Sequence, residues 1–194
     1  MIYNNNKPIF SAVILAAGNS SRMGVPKMSL KFNAKSNFLE NIVSEILTCG
    51  ADEIVVVVNA KANFQKDFFA TKFVVNTHPD WGRFHSLKLG LNGVKNIEKV
   101  LIINVDNPFI NAKVIDNLVM ESNDIDFVYP TYEGKGGHPF LINKKVVTSI
   151  INESNIHFNL KEFLKSFNGK SIHVLDEKIL ANINTKEDYE KFFG

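Results

Sequence analysis

The residues best suited to chemistry follow the first apolar run. Ser11 to Ala17 stops at Gly18 and passes directly into Asn19-Ser20-Ser21-Arg22-Met23-Gly24-Val25-Pro26-Lys27. A buried strand followed by a small, flexible turn leaves backbone N–H groups free to face an anion, and Arg22 and Lys27 add fixed positive charge. Binding of a polyphosphate is the chemistry this suits, so a nucleotide is the expected ligand. The spacing from Gly18 to Gly24 and Lys27 fits neither GxxxxGK[ST] nor GxGxxG, which counts against P-loop hydrolases and dinucleotide dehydrogenases. Taken alone, the segment is also compatible with a plain structural turn.

A second segment agrees with the first. Val100 to Val105 reads as a strand that ends in Asp106-Asn107-Pro108, placing a carboxylate where the chain leaves the sheet. A hard oxygen ligand beside a phosphate cradle is what Mg²⁺ requires, although Asp106 would also serve simply to open a turn with Asn107-Pro108. Asn59, after another strand, is placed either to reach a base or ribose or to form a turn. Trp81 reads as a packing residue or a stacking platform. His78, His85, His157 and His173 show no metal-ligand spacing, and His138 reads either as a ligand contact or as a cap on the next strand.

These residues need a frame. Apolar β-rich runs at Glu53–Val58, Lys72–Val75, Lys99–Val105 and Phe127–Pro130 alternate with helix-like stretches. Leu39, Ile42, Val43, Ile46 and Leu47 repeat at helical spacing and end at Gly50, while Ser86 is expected to start a helix carrying Leu87, Leu89, Leu91 and Val94. Such alternation implies a mostly parallel sheet with helices on both sides, an α/β three-layer, doubly wound arrangement. In the last third Gly134, Gly136 and Gly137 interrupt the pattern before His138-Pro139-Phe140-Leu141-Ile142, and Asn159–Phe167 reads as a short amphipathic helix. That part is expected to be a partly antiparallel addition.

Composition limits the partners. A chain of 194 residues, 45% hydrophobic, suits one domain over 1–194, and no linker divides it. A formal charge of +2 is too balanced for a nucleic-acid surface, and no apolar run reaches the roughly 18 residues needed to span a bilayer. Lys7 with Ile9–Ala17 has the outline of a secretion signal, but Arg22, Pro26 and Lys27 at motif spacing oppose that reading. A single cysteine, Cys49, forbids an internal disulfide and fits a reducing compartment, so a cytoplasmic protein is expected.

The string LAAGNSSRMGVPK from Leu15 to Lys27 resembles the signature of the MobA-like NTP transferases, and among them the molybdenum cofactor cytidylyltransferases. The resemblance returns at His78-Pro79-Asp80-Trp81-Gly82 with Ser86-Leu87, at Asp106-Asn107-Pro108, at Gly137-His138-Pro139, and at Asn184-Thr185 leading into Glu187-Asp188-Tyr189. It implies a mixed sheet of the nucleotide-diphospho-sugar transferase type, Rossmann-like in its winding. It also implies transfer of a nucleoside monophosphate to a phosphorylated acceptor with release of pyrophosphate.

By the same resemblance, the backbone of Leu15, Ala16, Ala17 and Gly18 contacts the nucleotide, and Arg22 and Lys27 stabilise the departing pyrophosphate. Asp106 would carry Mg²⁺ and Asn184 would stand next to it. Ser86, Gly137 and His138 would meet the acceptor, with molybdopterin the implied acceptor and a molybdoenzyme or its chaperone a transient partner. Asn184 replaces an aspartate usual in the cytidylyl branch, and Arg83-Phe84-His85-Ser86-Leu87 replaces a serine-rich run. Ala16-Ala17, in place of paired glycines, favours CTP over GTP. A sugar phosphate or alcohol phosphate acceptor, or a nucleotide-binding module without turnover, is the alternative.

Overall fold

A computed structural model describes residues 9–61 and 70–194. Lys7, the charged residue of the leader-like outline, lies outside them.

The first strand, β1 (Ser11–Ala16), is buried along its entire length, as an unbroken apolar run covered on both faces must be. Its neighbours β2 (Glu53–Asn59) and β4 (Lys99–Asn104) both run parallel to it, and β3 (Thr71–Asn76) continues the parallel set outside β2. Beyond β4 the direction reverses. There β7 (Phe140–Asn143) pairs antiparallel with β4, and β5 (Phe127–Tyr132) pairs antiparallel with β7. β5 also takes the two-residue β6 (Lys135–Gly136) antiparallel and β8 (Gly169–His173) parallel. Among the described residues the sheet has eight strands in the order β3-β2-β1-β4-β7-β5-β6, with β8 joined to β5. The expected mixed, mostly parallel α/β sheet is therefore present, and the glycine-broken last third supplies its antiparallel part.

Alternation of side chains along the strands divides the core in two. Ala12, Ile14, Ile54, Val56, Leu101 and Ile103 face α1 (Phe38–Thr48) and α3 (Ala112–Met120), joined by Tyr189 and Phe193 of α6 (Lys186–Phe193). Val13, Leu15, Val55, Val57, Val100 and Ile102 face the opposite layer of α2 (Gly82–Gly93), α4 (Lys144–Asn152) and α5 (Leu160–Leu164). These are the three layers that the alternation of strands and helices implied. No helix among the described residues is long and apolar enough to cross a membrane.

Some boundaries differ from expectation. Ser86 does not start a helix, because α2 begins one turn earlier at Gly82, where φ is +90° and a side chain would be strained. Ser86 stands inside the helix with its Oγ donating to the Gly82 carbonyl at 3.3 Å and accepting from Asn76 Nδ2 at 3.0 Å. Back-bonding to the preceding turn is how a helix interior accommodates serine. The strand expected to stop at Pro130 continues to Tyr132, and the strand expected to reach Val105 stops at Asn104. The helix expected over Asn159–Phe167 contracts to Leu160–Leu164, with Asn159 as its cap.

Candidate functional site

Strand order reverses between β1 and β4, which are adjacent while β2 and β3 extend to one side and β7 and β5 to the other. In α/β sheets the crevice beyond the carboxyl ends of such a strand pair is where ligands bind. The two strands end level, with Leu15 opposite Asn104 and Val105 N–H donating to the Leu15 carbonyl at 3.1 Å. The segment after β1 and the segment after β4 therefore face each other across one opening.

The loop after β1 is anchored from below. Met23 and Met28 are buried, and the Ser20 carbonyl accepts from the amides of Met23 and Gly24, both at 3.0 Å. Asn19 accepts from Asn59 Nδ2 at 2.9 Å and donates to Asp80 Oδ1 at 3.1 Å. Among the described residues, the amides of Asn19 to Arg22 donate to no protein group. A Cβ placed on Gly18 would meet nothing within 4 Å. A loop with unspent backbone donors beside open space, Ser20 among them lining that space, is suited to receive an anion.

Opposite the cradle, Lys27 and Asp106 meet. Lys27 Nζ donates to Asn184 Oδ1 at 2.7 Å and lies 3.5 Å from Asp106 Oδ2, with both side chains largely buried. Asp106 Oδ1 is buried without a hydrogen-bond partner, and it is the sole such side-chain atom among the described residues. An unsatisfied buried carboxylate oxygen is costly unless a cation or donor completes it. Asn184 is set by the start of α6: Asp188 accepts from the amides of Asn184 and Thr185, both at 2.9 Å. Those backbone donors, the Asn184 amide first, hold the Asp188 carboxyl below its usual range. The main chain is tied here as well, since Ile183 N–H donates to the Asp106 carbonyl at 2.7 Å.

Lys27 and Asp106 line a cavity of about 200 Å³ with Leu15, Ala16, Ala17, Gly18 and Ser86, while Asn184 reaches it only through Lys27. Arg22 is exposed, and neither it nor Asn59 is among the lining residues. Its charge instead reaches Asp188. Asn59 is buried at the end of β2 and uses both ends of its amide, accepting from the Lys61 amide at 3.0 Å and donating to Asn19.

Gly137 and His138 border a second, larger cavity of about 1000 Å³. Gly137 is fixed by crowding, since a Cβ there would lie 2.6 Å from the Ile179 carbonyl oxygen. The His138 amide donates to that same carbonyl at 3.0 Å, and Asn104 Nδ2 lies 2.9 Å from the His138 Nε2. Burial first, and then the charge of Arg83, push the His138 pKa down from 6.5 to about 4, against the opposing pull of Asp106. The imidazole is thus neutral at physiological pH. The wall is aromatic, with Phe84, Phe127, Tyr129, Phe158 and Phe167, and cationic, with Arg83, Lys161 and Lys165. No carboxylate is among the lining residues.

Sequence reasoning did not single out Asn104, and it met Asn107 and Arg83 only as members of the Asp106-Asn107-Pro108 and Arg83–Leu87 segments, without a role of their own. Asn104 sits at the buried end of an apolar strand, so its polarity is itself the signal that could have found it. Asn107 is buried and donates to the Ile179 carbonyl at 2.9 Å, tying the turn after β4 to the segment that supports His138. Trp81 is partly exposed and stacks on His78 at 4.2 Å outside both cavities.

Comparison with known proteins agrees with the geometry. The chain is 31% identical over 196 residues to a probable molybdenum cofactor guanylyltransferase of Natranaerobius thermophilus, covering 93% of each protein. It is 25% identical over 181 residues to the molybdenum cofactor cytidylyltransferase of Escherichia coli, covering 91% of this chain and 92% of that one. A Mycobacterium tuberculosis protein solved in complex with manganese shares the fold, with a TM-score of 0.73 at 18% identity over 94% of this chain and 97% of that one. The MobA-like NTP transferase domain is matched over residues 12–170, and with the phosphate-type loop and the Asp106 turn in register at one sheet edge, the chain belongs to that family of nucleotidyltransferases.

Proposed function

We propose that the chain, acting as one domain over 1–194, moves a nucleoside monophosphate from an NTP to a phosphorylated acceptor and releases pyrophosphate. The buried, unpartnered Asp106 Oδ1 beside an anion cradle carries this reading. That free oxygen supports a cation held beside the phosphates. A divalent cation fits this donor set, with Asp106 and Asn184 as its holders, and Mg²⁺ is the ion proposed, since it accepts one or two protein oxygens and completes its shell with phosphate and water. When bound it would neutralise charge on the phosphates.

The chain's own residues do the rest by placement. The Leu15–Gly18 backbone and the loop amides hold the phosphates, and Lys27 and Arg22 neutralise the pyrophosphate as it leaves. An acceptor phosphate is mostly ionised at neutral pH because its second pKa is about 6, so no protein nucleophile is required. Neutral His138, fixed by Asn104, and Gly137 shape the acceptor side, while Ser86 borders the smaller cavity. Aromatic walls, cations and the lack of lining acids favour a flat phosphorylated heterocycle such as molybdopterin over a sugar or alcohol phosphate. The product would pass to a molybdoenzyme or its chaperone in the cytoplasm.

CTP is the proposed donor, because Ala16-Ala17 lines the smaller cavity where the guanylyl branch of the family typically carries paired glycines. The guanylyltransferase name of the Natranaerobius relative favours GTP as the second reading. Pyrophosphate release measured with each NTP against molybdopterin and sugar phosphate acceptors tests both readings. Asp106→Ala should cut that release by at least a hundredfold while metal-free nucleotide binding survives. Retained turnover would remove Asp106 from the reaction.

A further inference from the structure

Among the lining residues, Arg83 alone belongs to both cavities. It occupies the first turn of α2, next to Gly82, with one space on either side of it in the lining. Among the described residues its guanidinium makes no hydrogen bond and no ion pair. The neighbouring cations differ. Lys27 is committed to Asn184 at 2.7 Å, Lys165 pairs with Glu162 at 2.6 Å, and Lys161 borders the larger cavity only. The side chain is exposed, borders both spaces, and stands close enough to buried His138 for its charge to be felt there.

We propose that Arg83 grips the phosphate of the acceptor and presents one of its oxygens to the α-phosphorus of the nucleotide, an assignment that rests on the nucleotidyl-transfer reading above. A guanidinium offers paired, parallel N–H donors that match two phosphate oxygens and leave the third free to react. In the step this serves, the acceptor oxygen bonds to the α-phosphorus and the bond from that phosphorus to the oxygen bridging the β-phosphate breaks. Pyrophosphate leaves with the electron pair. The attacking oxygen is already ionised, so no proton needs a protein acceptor. Arg83 thereby links the two halves of the reaction: the aromatic cavity selects the body of the acceptor, and Arg83 sets its reacting end.

The test uses binding as well as turnover, with the fluorescent pair 6-hydroxymethylpterin monophosphate and 6-hydroxymethylpterin as probes. The wild-type chain should bind the phosphorylated probe at least tenfold more tightly than the free alcohol. Arg83→Gln should reduce that ratio to near one, and Arg83→Lys should restore only part of it, since an ammonium cannot make the bidentate contact. Nucleotide affinity should change by less than about twofold, with the circular dichroism spectrum unaltered, and the KM for a productive acceptor should rise about ten- to a hundredfold. An unchanged ratio in Arg83→Gln, no phosphate preference in the wild type, or a loss falling on the nucleotide instead would each overturn the assignment. A phosphate preference that Arg83→Gln erases, in a protein that releases no pyrophosphate with any NTP and acceptor, would sustain phosphate binding by Arg83 while refuting the transfer reading and with it the presentation step.

Discussion

His138 shows how one residue ties folding to the state of the site. Its imidazole is buried against Asn104 and titrates near 4 in the folded chain, against 6.5 when free. Between those values the unfolded chain binds the proton and the folded chain does not, so acid favours unfolding. The contribution is complete above 6.5, falls as the pH drops toward 4, and amounts to roughly 3 kcal/mol across the window. Urea unfolding at several pH values should show this slope, and His138→Gln, which cannot take up the proton, should flatten it between pH 6.5 and 4. An equal slope in the variant would mean that another group governs the acid limb. Singling out His138 from sequence was possible because it follows a glycine cluster. Its neutrality was not legible, because that depends on burial and on Arg83, distant in sequence but close in the fold.

At the level of elements, runs of one hydrophobic type were the legible part. β1, β2 and β4 are buried on both faces, and their continuous apolar sequences say so directly. α2 was misread at its start because it lacks a side-chain cap and carries its glycines where a helix normally avoids them. Those glycines exist for contact with the sheet: a Cβ on Gly90 would lie 2.5 Å from Val13 Cγ1 and 2.8 Å from Val57 Cγ2. Gly90→Ala should therefore lift the helix from β1 and β2 and cost about 1–3 kcal/mol, lowering Tm by several degrees in a calorimetric scan. Gly18→Ala is the matched control, since its Cβ meets no protein atom within 4 Å. It should leave Tm nearly unchanged and weaken nucleotide binding. If Gly90→Ala melts like the parent chain, Val13 and Val57 yield more readily than their close packing implies.

Sheet order is the property of the whole molecule that creates the site, and it was the least legible, because alternation of strands and helices fixes neither which strands are neighbours nor where the order reverses. Placing β4 beside β1 brings Asp106 and Asn184 to Lys27 across 79 and 157 residues of chain. The assembled centre is poor in anions. Among the described residues no group of three or more His, Cys, Asp or Glu could hold a metal, and Lys27 already satisfies Asn184 Oδ1. A metal ion entering alone would find a single free carboxylate oxygen and a competing ammonium. An NTP brings oxygens that can both draw Lys27 away and complete the coordination shell. Stabilisation by metal and nucleotide should therefore be cooperative. At a hundred times its dissociation constant the pair should add about 2.7 kcal/mol, or roughly 5–10 °C in Tm. Mg²⁺ alone should add almost nothing, the nucleotide alone only part, and EDTA should abolish the difference between nucleotide with and without metal. Differential scanning fluorimetry reads all four conditions, and Asp106→Asn should abolish the metal-dependent part. A full shift with Mg²⁺ alone would require a metal site preformed by protein atoms, which the charges gathered at this sheet edge do not provide.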